Sequence, residues 1–175
     1  SSGRGSATFT CRRSFFDFDL SSLSIGTVTS AAIDVYSENF GDTGAHCEVR
    51  AVAVREDLDG DGTDFNKIFT AGASTTLVNS YSDDVELNNT SYGMEKIILN
   101  ATAIADINNE IGNGTFYVSL ISGAFDVDGT SPTSGGDYTQ IGIGFEDSNS
   151  GSYRPQLELT YSDATTNTIF FGTNF

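Results

Sequence analysis

The 175-residue chain has no tryptophan, one methionine, one histidine, two cysteines, two prolines, and only 8 basic residues against 24 acidic ones. Each shortage excludes something. At a net charge of −16 the chain repels phosphate backbones and anionic lipid, so nucleic acid is not expected as a partner. No run approaches the ~18 consecutive apolar residues that a membrane span needs. A single histidine leaves one way to build a Ser-His-Asp or Cys-His arrangement, and that way fails. His46 adjoins Cys47 at the start of an alternating stretch, where neighbouring side chains point to opposite faces. Paired carboxylates for glycoside cleavage can always be drawn among 24 acids, so their presence argues for nothing. No glycine-rich phosphate loop follows a strand and opens a helix. The sequence therefore reads as non-enzymatic.

Two cysteines make neither a zinc site nor a redox CxxC pair. Cys11 and Cys47 form one disulfide if the compartment is oxidising, or stay small buried thiols if it is not. The chain opens on Ser1, which reads as a processed product or a piece of something longer.

What is abundant is alternation. In "RRSFFDFDLSSL" (residues 12–23) Phe16, Phe18 and Leu20 share one face, while Phe15, Asp17 and Asp19 share the other. The carboxylates then lie on the wet side of a strand, with Arg13 placed to pair with one of them. "VTSAAIDVYS" (28–37), "CEVRAVAV" (47–54), "TFYVSLIS" (115–122), "YTQIGIGFE" (138–146) and "QLELTY" (156–161) repeat the period of two. Between them lie Gly, Asp, Ser and Asn clusters with turn chemistry. "NATAIADINNEIGNG" (100–114) departs from that period: Ala101, Ile104, Ala105 and Ile107 recur at helical spacing before a Gly-Asn-Gly stop. "TDFNKIF" (63–69) reads as a single helical turn. Short strands, polar loops and one or two short helices predict an all-β, antiparallel β-sandwich over residues 1–161. At this length one domain buries roughly 70% of the surface its unfolded chain exposes.

Certain segments resemble a known family: "RRSFFDFDLSSL", "GTVTSAAIDVYS", the polar loop into "DFNKI", "IILNATAIADIN" running into "GTFYVSL", and the closing "YRPQLELTY". Together they span residues 7–161 and look like the DNRLRE-type β-sandwich domain, which is similar to carbohydrate-binding modules and to domains of phage virion appendages and surface proteins. The resemblance implies a jelly-roll-like sandwich with a non-catalytic role in display, adhesion or saccharide contact, outside the cell, on a virion or a cell surface. Glycans are then possible partners. Sugar platforms favour Trp or Tyr, and this chain offers only scattered tyrosines: Tyr36, Tyr81, Tyr92, Tyr138 and Tyr153 among them.

"DLDGDGTD" (57–64) carries ligand chemistry. Asp57, Asp59 and Asp61 occupy positions one, three and five of a calcium-loop pattern, with Gly62 at the turn. Position twelve, where a bidentate Glu belongs, is Ile68; Asp64 substitutes only through a different loop geometry. The stretch reads either as a Ca2+ site or as an acidic turn tip. A second acidic loop holds Asp126, Asp128 and Asp137. Four Asn-x-Ser/Thr sequons, at Asn88, Asn89, Asn100 and Asn113, make glycosylation chemically possible.

Beyond the sandwich a tail, residues 162–175, carries Ile169, Phe170 and Phe171 and ends on Phe175. An apolar strand needs cover. Either it pairs with its own sheet, or it docks on another copy or subunit as an assembly strand, making the chain part of a homo-oligomer or a larger assembly.

Overall fold

The computed structural model describes residues 13–38, 48–55, 58–59, 63–73, 76–87, 93–127, 142–143, 154–162 and 169–172. The alternating segments form strands: β1 (Ser14–Asp19), β2 (Val28–Glu38), β3 (Glu48–Ala53), β6 (Thr115–Ser122) and β8 (Gln156–Tyr161). Strands β4 (Val85–Glu86), β5 (Gly93–Ile98), β7 (Gly142–Ile143) and β9 (Ile169–Gly172) complete the set, with one helix, α1 (Ala101–Glu110). One antiparallel sheet runs β1-β6-β3-β4; the other runs β5-β2-β8-β9, with β7 beside the end of β2.

Period two decides which side chains meet between the sheets. Phe16, Phe18, Val49, Ala51, Phe116, Val118 and Leu120 from the first sheet join Ala31, Ile33, Val35, Ile97, Leu157 and Leu159 from the second in one buried cluster. At about 1.5–3 kcal/mol for each large apolar side chain removed from water, this face-to-face burial is the main force holding the sandwich. The protein is an antiparallel β-sandwich.

The helix begins where Asn100 caps it: its side-chain oxygen accepts from the backbone N–H of Thr102 and Ala103. It ends at Gly112, whose φ of +73° suits a residue without a side chain, and whose N–H donates to Leu20 O. Ala103 and Ile107 are the helix's buried residues; Ala101 and Ala105, expected on the apolar side, are exposed.

The first sheet is also covered on its outer face. Phe15, Val52 and Ile121 sit at outward positions, yet Val52 and Ile121 form a second buried cluster with Ile68 and Phe69, against which Phe15, Leu77 and Val127 pack. The cover comes from the segment around the 3-10 turn Asp64–Asn66, closed by a bridge between Phe69 and Leu77, and from a π-helical turn, Gly123–Val127. This third layer departs from the simple two-layer expectation. Apolar residues at outward positions of β1, β3 and β6 were its signal.

Strand β9 is the tail's segment. It pairs antiparallel with β8, Phe171 opposite Leu157 and Phe170 opposite Glu158, so this part of the tail extends its own sheet. Phe175 lies outside the described residues. No helix among the described residues is long and apolar enough to cross a membrane.

Candidate functional site

Strands β3 and β6 stay paired down to Ala53 and Val118. Beyond that pair the chain after β3 turns away: the Arg55 backbone N–H donates to Lys67 O. The β6 side keeps going through Tyr117, Phe116 and Thr115, so a gap opens at this end of the first sheet. Helix α1 stands beside it, with Asp106, Asn109 and Glu110 on one face by their spacing of three and four. The result is a cleft of about 530 Å3 lined by Val54, Arg55, Tyr81, Asp106, Asn109, Glu110, Gly114, Thr115, Phe116 and Tyr117.

Two contacts hold its groups in place. Tyr81, just before β4, is tied at its backbone, donating to Ala51 O and accepting from the Asn100 N–H. Its ring stacks on Phe116 with centroids 5.3 Å apart, and its hydroxyl donates to Asp106 Oδ2 at 2.7 Å. Burial, then the Asp106 carboxylate, push the Tyr81 phenol far above its ordinary pKa, so it stays a neutral donor. At Gly114 a Cβ would lie 2.3 Å from Glu110 Oε2. Only a residue without a side chain lets the Glu110 carboxylate rest over the start of β6. The sequence offers Tyr81 only as one of several scattered tyrosines and gives no sign of the rest, because a gap at the end of a strand ladder has no local signature.

The acidic loop is gathered around a lysine. Lys67 Nζ lies 2.7 Å from Asp64 Oδ1 and 3.3 Å from Asp59 Oδ2, and its side chain is 6% exposed. Hydrogen bonding to Asp64 raises the Lys67 pKa, so the ammonium persists. Asp57 and Asp61 lie outside the described residues. Among the described residues no group of three or more His, Cys, Asp and Glu is placed to hold a metal ion.

Arg13, expected to pair with Asp17 or Asp19, pairs instead with Asp126 of the second acidic loop, Nη2 to Oδ1 at 2.6 Å and Nε to Oδ1 at 3.2 Å. Both side chains are nearly sealed, 7% and 4% exposed. The guanidinium lies 3.7 Å from the Phe65 ring centroid and 5.0 Å from that of Phe69, and donates to Phe65 O. It therefore pins the outer layer to the start of β1. Asp19 turns back on its own chain, accepting from the Ser21 N–H at 2.9 Å and the Ser21 hydroxyl at 2.6 Å. Partial burial raises the pKa of Asp17, with the Asp19 charge adding to it.

On the outer face of the second sheet Lys96 bridges Glu158 and, at 3.8 Å, Asp34. Burial raises the Asp34 pKa while the Lys96 charge opposes the rise. Arg50 and Asp84 pair in two contacts, at 2.9 and 2.5 Å. Cys11, Cys47, His46, Asp128, Asp137, Asn88, Asn89, Tyr92, Tyr138 and Tyr153 lie outside the described residues.

The fold and its cleft define the class, a β-sandwich module with a polar recess at one end. Compared with family models, curated proteins and solved structures, the chain finds no match in any of the three.

Proposed function

We propose that the chain is a non-catalytic structural and adhesive module of an extracellular assembly, of the kind that forms a virion appendage or decorates a phage coat. The carrying observation is the use made of its cations. Arg13, Arg50 and Lys96 each join carboxylates distant in the chain, and Lys67 gathers Asp59 and Asp64 of its own loop, so that each fastens one part of the sandwich. Such pairing builds a body that holds and presents, and the −16 surface keeps copies dispersed until they are assembled. The likeness of residues 7–161 to DNRLRE-type domains supports the same role. Multi-angle light scattering on the full chain and on a chain ending at Ser162 tests it. An oligomer that depends on residues 163–175 is expected; a strict monomer in both would reject assembly through the tail.

A second reading, a carbohydrate-binding module of a secreted or cell-surface protein, is favoured by the cleft beside α1. A Ca2+ ion on Asp57, Asp59, Asp61 and Asp64 belongs to either reading only if it displaces Lys67 from Asp59 and Asp64. Melting in calcium and in chelator decides this: a site at 100-fold its Kd adds about 2.7 kcal/mol, whereas an unchanged midpoint removes the ion.

A further inference from the structure

We infer that the cleft between α1 and the start of β6 holds a neutral saccharide unit, through Asp106, Asn109, Glu110 and Arg55. The inference rests on the second reading above and gives it a site. The volume of about 530 Å3 falls within the ~300–1,000 Å3 span of small-ligand sites. The lining mixes acceptors with donors: two carboxylates, an amide that does both, and a guanidinium. A ring of hydroxyls, each able to donate and to accept, answers that mixture better than an apolar ligand or a simple ion does. Charge selects further. Two carboxylates against one arginine, in a chain of net charge −16, disfavour phosphates, sulfates and uronates.

Part of the recess is also set before any ligand arrives. Tyr81 fixes Asp106 by its hydroxyl, and the stacked Tyr81–Phe116 pair forms a rigid floor. Gly114 leaves Glu110 room over the strand. Asp106, already held by Tyr81, loses little freedom on binding.

Calorimetry of the full chain against neutral cello-, xylo-, manno- and galacto-oligosaccharides, with oligogalacturonate as the anionic control, tests this. At least one neutral oligosaccharide is expected to bind. Asn109→Ala and Glu110→Gln, both at partly or fully exposed positions, should each weaken it about 10-fold while leaving the melting midpoint in place. Gly114→Ala, which displaces the Glu110 carboxylate, should weaken it too. Binding that survives all three substitutions overturns the cleft and leaves saccharide recognition standing elsewhere on the molecule. No binding of any neutral oligosaccharide, or binding of the anionic control alone, overturns both.

Discussion

Single residues decide how the outer layer stays down. Arg13 and Asp126 are far apart in sequence, and both are nearly excluded from water. Removing one partner from such a pair leaves the other's buried charge without that contact. Arg13→Met should therefore cost about 3 kcal/mol, read from the urea midpoint. Arg13→Met with Asp126→Leu should cost less than the two single changes summed, because both remove the same contact. Asp17 behaves in the opposite sense. Its pKa in the folded chain is raised, so at neutral pH its ionised form favours unfolding. Below the unfolded value near 3.8 both states are protonated and the penalty vanishes; it grows as pH rises through the folded pKa. Asp17→Asn should thus raise the melting midpoint at pH 7 relative to its effect at pH 3. A gain of the same size at both pH values would show that ionisation is not the cause. Ser119 is fully buried, and its hydroxyl has no hydrogen-bond partner among the described residues. Ser119→Ala should be neutral or stabilising by up to about 1 kcal/mol in thermal melts.

At the level of elements, side-chain amides do the joining. Asn108 on α1 accepts from the Val28 N–H at 2.8 Å and donates to Val28 O at 3.0 Å, extending the hydrogen-bonding of β2 at its first residue. Asn108→Ala leaves both Val28 groups without those partners beside a buried side chain and should cost about 2 kcal/mol by denaturant titration. Asn100 caps α1 and also donates to Ser80 O at 2.9 Å. Its loss should cost about 1 kcal/mol. A glycan on Asn100 would compete with the Ser80 contact, whereas the Asn113 side chain donates across the exposed helix end, to Asn109 O. Helix α1 was legible because helical spacing and a glycine stop are local signals. Strand β5 was not, because "GMEKII" alternates poorly: Ile98 is 62% exposed and Met94 46% exposed, beside an inward Ile97.

At the scale of the whole molecule, the charge and the sheets set the behaviour. With 24 acids against 8 bases, self-association works against net repulsion, so oligomers should grow with ionic strength, as sedimentation at low and high salt would reveal. An assembly that falls apart in salt would instead place ion pairs at its contacts. Strand β9 closes one side of the second sheet in the single chain, and β5 forms its other edge. Exchange of the tail strand between copies must therefore first release β9 from β8.

The order of residues alone determined which strand side chains look inward, which segment is helical and where a glycine stops it, and the sign of the surface. These follow from backbone geometry acting over a few positions: period two in strands, 3.6 in helices, turn chemistry between them. Only tertiary structure decided that Arg13 meets Asp126, that Lys67 sits between Asp59 and Asp64, that a third layer covers Val52 and Ile121, and that β3 leaves β6 to open a cleft beside α1. Those outcomes depend on which distant strands become neighbours and where their pairing ends. Alternation names the face a side chain takes, but what lies against that face is set by contacts from far along the chain.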